Sequence, residues 1–304
     1  MKAAVYRRYG APDVVHIEDV PVPIPKTGEL LVKVRVSTLT AADWRLRRAS
    51  PFLARFYNGL WRPKKATILG WEFAGVVEAL GVNTSQFKVG DEVFGLTGLR
   101  FGAHAEYCCV QEVVQGFQGG FVALKPAHMS FEEAAAVPVG CLSAQGFLKK
   151  ARLRAGHKVL IYGASGSVGT YAVQIAKRHS ACVTGVCGTH NLDLVRALGA
   201  DQVIDYRRQD VTTITDKFDI VFDAVGKLTS SGAKQLLKKD GAFVSVTSAP
   251  GRHDFGASVT QLKNLLETRQ LRVVIDRSYP LEQIVQAHEY VERGHKKGNV
   301  TIAL

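Results

Sequence analysis

The sequence predicts an α/β protein: a doubly wound parallel sheet accompanied by a β-rich portion. Three observations predict it. The first third alternates short β-branched runs with Gly, Pro and Asp turns. From about Ser130 onward, strands alternate with amphipathic helices. Between them in importance stands "KVLIYGASGSVG", residues 158–169, where an apolar strand stops in three glycines spaced three apart, Gly163, Gly166 and Gly169.

Taken in order, "LLVKVRVSTLT" and "FAGVVEAL" read as strands, punctuated by "PVPIPKTGE" and "KVGDEVFG". The stretch "ASPFLARFYNGLWRPKK" breaks that rhythm with aromatics and bases and reads as a short helix or a flap. "SFEEAAAVPVG" opens on Ser130 with Glu133 three residues later, the capping-box signature of a helix start. "KVLIYG" is a strand, and residues 167–178 form a helix with Val168, Ala172, Ile175 and Ala176 on one face. "CVTGVCG", "QVIDY", "FDIVFDAVG" and "GAFVSVTS" are further strands, with helices at "NLDLVRALG" and around residues 233–237. This alternation implies a parallel sheet with helices on both faces. After "TQLKNLLETRQ" come strand "LRVVIDR", helix "LEQIVQAHEYVERG" and strand "NVTIAL".

Composition bounds the function. With 304 residues, 46% hydrophobic and 22% charged, the chain is globular and long enough for two domains. No apolar stretch approaches a membrane span, and the start, "MKAAVYRRYG", lacks the apolar core of a signal peptide. Five scattered cysteines, Cys108, Cys109, Cys141, Cys182 and Cys187, fit reduced thiols and a cytoplasmic location rather than a disulfide framework. The net charge of +12 comes in short dispersed clusters, with no basic tail and no nucleic-acid-binding module, so it reads first as solvated surface and second as a polyanion-binding one.

The glycine loop points to a dinucleotide. The first glycine allows a tight turn out of the strand, the middle one lets a pyrophosphate approach the backbone, and the last lets the helix pack on the sheet. The phosphates then lie on amides of Gly163, Ala164, Ser165, Gly166, Ser167, Val168 and Gly169, at the positive end of the helix dipole. An acid at the end of the second strand would hold a ribose diol, but the chain there reads Val186-Cys187-Gly188-Thr189-His190. That leaves room for a 2′-phosphate, with Thr189, His190 and Tyr206-Arg207-Arg208 as candidate donors, the alternative being that these side chains only face solvent. NADPH is therefore expected ahead of NADH.

Ten segments, from "MKAAVYRRYGAPDVV" through "ILGWEFAGVVEALG", "GAHAEYCCV", "AAAVPVGCLSAQGFL" and "VLIYGASGSVGTYAVQIAK" to "PLEQIVQAHEYVERGHKKGNV", cover nearly the whole length in the order of one known family. The chain resembles the medium-chain dehydrogenase/reductase superfamily, specifically its zinc-free NADPH:quinone oxidoreductase branch, the ζ-crystallin-like proteins. The resemblance implies a GroES-like β-rich domain from residues 1–125 with 270–304, and a Rossmann domain, residues 126–269, inserted between them. It places a nicotinamide in the cleft between the two, and implies reduction of quinones or activated C=C bonds such as those of enones. Zinc members carry a Cys after the strand matching "KVRVST" and a His-Glu pair after the position of Gly70. Here the residues are Thr38-Leu39-Thr40-Ala41-Ala42-Asp43 and Gly70-Trp71-Glu72, and a lone Glu72 cannot hold a catalytic zinc. Cys108 and Cys109 are adjacent and read as packing residues of a strand, so no metal is expected.

Without a Lewis acid, alcohol oxidation is disfavoured, whereas a quinone or enone needs placement against a reduced nicotinamide and a donor for the developing oxyanion. By position in the family, Thr40 stands for a polar contact to the nicotinamide where relatives usually have Asn. Ala136-Val137-Pro138 and Ser143 stand for the helix start facing the cofactor, and Val225-Gly226 with Ser245-Val246-Thr247 for the far wall. Trp44, Phe52 and Phe56 are candidate substrate-lining aromatics, against the reading that they are core. Tyr57 is the candidate proton donor, with water as the alternative, and His104 is expected to be structural. Related chains run about thirty residues more after the fifth strand of this domain and build a sixth strand that pairs across a dimer. Here "VSVTSAPGRHDFGASVTQLKNLLE" passes almost directly to a helix. The sheet is expected to lack that edge strand, and the protein to be a monomer or a dimer built elsewhere. The competing expectation is a dinucleotide-binding protein with weak or lost catalysis and a regulatory or polyanion-binding role.

Overall fold

A computed structural model describes residues 1–113, 116–248 and 255–304. The chain divides into two compact units, Met1–Pro138 with Ile275–Leu304, and Val139–Val274. Strands β1 (Lys2–Tyr6) and β2 (Val15–Asp19) form an antiparallel ribbon. The ten-residue β3 (Glu29–Thr38) is the hub of the first unit. After helices α1 (Ala41–Arg48) and α2 (Ala54–Asn58) come β4 (Glu72–Leu80), β5 (Glu92–Leu96), β6 (Tyr107–Gln111), α3 (Gly116–Gly119), β7 (Phe121–Leu124) and α4 (Phe131–Ala135). Strand β4 pairs antiparallel along one side of β3, and β6 along the other. Leu30, Val32, Val34, Phe73, Val93, Cys108 and Val110 alternate inward from these strands into one core. Cys108 is buried and Cys109 only half-buried, as the two-residue pleat requires.

The second unit runs α5 (Pro138–Lys150), β8 (Lys158–Tyr162), α6 (Ser167–Arg178), β9 (Cys182–Cys187), α7 (Leu192–Ala197), β10 (Gln202–Asp205), β11 (Phe218–Asp223), α8 (Ser230–Leu236), β12 (Leu237–Ser245) and α9 (Phe255–Glu267). Its five strands are all parallel, in the order β10-β9-β8-β11-β12. Helix α6 buries Tyr171, Ala172, Val173, Ile175 and Ala176, the stripe its sequence period requires. The order reverses between β8 and β11, and at such a reversal the loops at the strands' carboxyl ends part to leave a crevice. The chain then returns to the first unit as β13 (Ile275–Pro280), α10 (Ile284–Glu292) and β14 (Asn299–Ala303), and β14 pairs antiparallel with the end of β3.

The architecture is the expected α/β one, with differences that have local causes. The helix from Ser130 is two helices. Ser130 and Glu133 do form the reciprocal cap, but Pro138 has no amide to continue the ladder and disfavours helical backbone at Val137, so α5 starts afresh there. Because α4 packs on β3, β4 and β5, the unit boundary falls at 138/139 rather than 125/126. The second boundary falls at 274/275 rather than 269/270. The strand expected at residues 271–277 begins at Ile275, since both backbone polar groups of Arg272 are taken by the Gln174 amide, at 2.7 and 3.0 Å. Helix α1 had no counterpart in the expectation. Among the described residues no strand follows β12 in the parallel sheet, and residues 249–254 of the short connection lie outside them.

Candidate active site

The glycine loop has the geometry its spacing implies. Gly163 takes φ +81°, and a Cβ there would meet Val225 Cγ2 at 2.0 Å. A Cβ at Gly169 would stand 2.1 Å from the Gly163 carbonyl oxygen, so the first turn of α6 lies directly on the loop. At Gly166, the N-cap of α6, a Cβ would meet only one atom, Gly163 O at 3.4 Å. The surface above Gly166 is therefore an open cradle. The amides of Gly163 and Ala164, expected on the phosphates, both donate instead to the Val186 carbonyl at 2.9 Å, and that of Gly166 donates to the Gly163 carbonyl at 3.0 Å, so the cradle is faced by the start of α6 at the positive end of its dipole. The residues fit a pyrophosphate. Ala164 is buried, and the Ser165 hydroxyl accepts from Asn191 Nδ2 at 3.2 Å. Gly140 on α5 sits against Ser167 Oγ and the Tyr171 ring, which sets Ser143 one turn further along; Ala136, Val137 and Pro138 before it are buried. Val168 is half-buried.

The far wall is organised by a residue the sequence did not flag. Asp223, wholly buried at the end of β11, accepts the amides of Val225 (3.0 Å), Gly226 (2.8 Å) and Leu228 (2.9 Å). Its backbone carbonyl accepts from Val246 N, and Ser245 Oγ bridges to Thr247 Oγ1 at 3.0 Å. Gly226 in turn abuts Thr247. Gly163, Val225, Gly226, Ser245, Val246 and Thr247 are thus one assembly at the carboxyl ends of β8, β11 and β12. Gly188, Thr189 and Tyr206 gather at the ends of β9 and β10, where a Cβ on Gly188 would lie 3.4 Å from the Tyr206 hydroxyl and 3.6 Å from Arg207 Nε.

That second group corrects the reading of Thr189 as a free donor. Its hydroxyl donates to Asp205 at 2.6 Å, a hydrogen bond that holds the Asp205 carboxyl below the usual range. A carboxylate does stand here, delivered by the third strand rather than the second. The Arg207 amide at 3.0 Å and the Arg208 guanidinium at 3.5 Å offset its charge. His190 is exposed on the turn that follows Gly188.

The first unit holds the remaining candidates. Thr40 caps α1, and both its amide (2.7 Å) and its hydroxyl (2.6 Å) donate to Asp43. Asp43 is fully buried and also accepts the Gly70 amide at 2.9 Å, tying α1 to the loop before β4. The Thr40 proton is therefore committed, and its oxygen lone pairs are what it offers a ligand. The Tyr57 phenol donates to the Leu99 carbonyl, and burial raises its pKa, so in this arrangement its proton is also engaged. Trp44 and Tyr57 pack against the core around Leu39, Leu46 and Ile284. The Phe52 and Phe56 rings meet edge to face at 6.3 Å and stand in solvent, 58% and 70% exposed. His104 is fully buried, with Nε2 2.9 Å from the Thr38 carbonyl, and burial lowers its pKa: a structural place.

At the positions of the zinc ligands in related chains, Thr38 Oγ1 donates to the Glu72 carboxylate and Trp71 stacks on Phe101 at 5.7 Å. Among the described residues no group of three His, Cys, Asp or Glu side chains is placed to hold a metal ion. The residues present do not fit a catalytic zinc, which needs three such ligands. Near Glu72 lies Lys296, whose ammonium donates to the Gly298 carbonyl at 2.6 Å and whose pKa burial pulls down to about 8, against the opposing charges of Glu72 and Asp276.

A parallel sheet with a glycine cradle at its reversal point, joined in one chain to a β-rich unit, defines a two-domain pyridine-nucleotide oxidoreductase scaffold. Residues 26–121 match the alcohol dehydrogenase GroES-like domain and residues 198–302 a family described as zinc-binding dehydrogenase. The chain is 34% identical to 2-methylene-furan-3-one reductase of Solanum lycopersicum, over 99% of this chain and 79% of that protein. It is 33% identical to an NADPH-dependent alkenal/one oxidoreductase of Arabidopsis thaliana, over the same shares. A solved quinone oxidoreductase from Coxiella burnetii superposes with a TM-score of 0.89 at 29% identity, covering 100% of this chain and 99% of that one. The chain belongs to the medium-chain dehydrogenase/reductase superfamily, in its zinc-free quinone oxidoreductase branch.

Proposed function

We propose that this protein is a zinc-independent reductase that uses NADPH to reduce the conjugated C=C of an α,β-unsaturated carbonyl, or a quinone. The observation that carries the reading is the open cradle over Gly166, combined with relatives whose names specify enone, alkenal and quinone substrates. When bound, the dinucleotide supplies the hydride. The chain's own part is placement. The loop backbone at Ser165 and the first turn of α6 hold the diphosphate over Gly166, the Asp223-braced loop Val225–Gly226 with Val246 and Thr247 limits movement on the far side, and Gly188, Arg207 and Tyr206 surround the adenosine end. Arg207 beside Gly188 supports a 2′-phosphate there, and hence NADPH over NADH. Such an acceptor is already electrophilic, so orientation in place of a Lewis acid is sufficient, and solvent returns the proton. Five unpaired cysteines support a reducing compartment, the cytoplasm in this reading. No helix among the described residues is long and apolar enough to cross a membrane.

The test is to follow NADPH absorbance with a panel of quinones, enones and alkenals. Turnover of at least one class, with a lower KM for NADPH than for NADH, is expected. Tight NADPH binding without turnover on any acceptor would instead indicate a dinucleotide-binding protein that has lost catalysis.

A further inference from the structure

The segment from Trp44 to Trp71 is unlike the rest of the chain. It contains seven cationic residues, Arg45, Arg47, Arg48, Arg55, Arg62, Lys64 and Lys65, and no Asp or Glu; Arg47 is buried, and it and Arg48 pair with Glu292, which leaves the other five for the surface. Within it, five large apolar side chains stand in solvent inside ten residues: Phe52 (58% exposed), Leu53 (70%), Phe56 (70%), Leu60 (42%) and Trp61 (85%). Single exposed apolar residues are ordinary, but a contiguous set is not. Phe52, Phe56 and Leu60 are tied together. Phe52 and Phe56 touch edge to face, the Arg55 guanidinium lies 5.1 Å from the Phe52 ring centre, and its Nη1 donates to the Leu60 carbonyl at 3.3 Å. Behind them, Tyr9 Oη donates to the Gly59 carbonyl at 2.7 Å, and the buried Asn58 amide bonds Tyr6, Ala66 and Lys65, so the patch is mounted on a fixed base.

We propose that this patch docks the protein on an anionic lipid bilayer. Aromatic and leucine side chains fringed by uncountered cations are the chemistry of an interfacial anchor: rings enter the headgroup–acyl boundary while Arg62, Lys64 and Lys65, all exposed, meet lipid phosphates. A protein partner recognising the apolar side chains alone would gain nothing from a segment without a single acid, and a soluble polyanion would gain nothing from the rings. A bilayer uses both. It is also where long-tailed quinones dissolve, although the docking stands on the patch and not on the identity of the acceptor.

The experiment is co-sedimentation of the full chain with vesicles of phosphatidylglycerol and phosphatidylcholine, beside vesicles of phosphatidylcholine alone. Binding to the anionic vesicles is expected, with a blue shift of Trp61 emission. Leu53→Ser/Trp61→Ser and Arg62→Gln/Lys64→Gln should each weaken the partition about tenfold while retaining the wild-type melting temperature and NADPH affinity. No binding of the wild type overturns the proposal. So does unchanged binding by Leu53→Ser/Trp61→Ser, which would mean charge alone, or a light-scattering dimer that this variant dissociates, which would mean a second copy covers the patch.

Discussion

His288 shows how one side chain can set a pH response. It is fully enclosed, neither ring nitrogen has a hydrogen-bond partner among the described residues, and its ring meets His104 edge to face at 6.3 Å. Burial, with His104 and Arg47 adding to it, holds its pKa well below the usual value, and burial lowers His104 as well, against the pull of Asp43. The unfolded chain takes up these protons as pH falls through about 6.5, whereas the folded one does not, so stability is lost as pH drops below that point. Urea midpoints measured between neutral and mildly acid pH should fall more steeply for the wild type than for His288→Leu; parallel lines would contradict this. Arg47 makes a second case. Its side chain is wholly buried and pairs with Glu292 at 2.5 Å and the Gly10 carbonyl at 2.7 Å. Glu292→Ala strands that cation, and a loss of about 3 kcal/mol is expected in denaturant unfolding.

At the scale of elements, the decisive contact is that of α6 on the glycine loop. A methyl group at position 169 would fall 2.1 Å from the Gly163 carbonyl oxygen, so either the helix lifts or the loop moves, and both spoil the cradle. Gly169→Ala should weaken NADPH binding by calorimetry at least about tenfold and lower stability by about 1–3 kcal/mol; wild-type affinity would mean that the phosphates lie elsewhere. Elements were legible in the sequence where a local period spans them. Helix α6 runs over the expected residues 167–178 because its apolar stripe and its glycine start are both local signals. Helix α1 was not legible, because the Asp43 carboxylate that closes its first turn follows a β-branched run that reads as continuous strand. The Asp223 bracket was missed for a similar reason: an Asp ending a strand carries no mark of the amides that will fold back onto it.

For the whole molecule, assembly is the open quantity with a structural handle. Strand β12 has β11 as its strand neighbour and, among the described residues, no other. Its register slips between Phe218 and Ile220 of β11, and the looped-out stretch presents exposed Lys238, Lys239 and Asp240. A bulge carrying exposed charged side chains is a poor edge for pairing with a two-fold mate. Light scattering should return the mass of one chain, 33.1 kDa, in the absence of lipid; a dimer joined along β12 would overturn this.

Residue order alone determined the alternation of strands and helices, the glycine loop, and the Thr and Trp that stand where zinc members carry Cys and His, because each is written in neighbouring residues whose period or identity is itself the physical cause. Only the tertiary structure decided that Asp205 reaches Thr189 sixteen positions away, that Asp43 anchors Gly70 twenty-seven positions on, and that the Phe52 and Phe56 rings stand together in solvent. Those outcomes depend on which distant segments the folded chain brings alongside, and no local pattern of side chains carries that information.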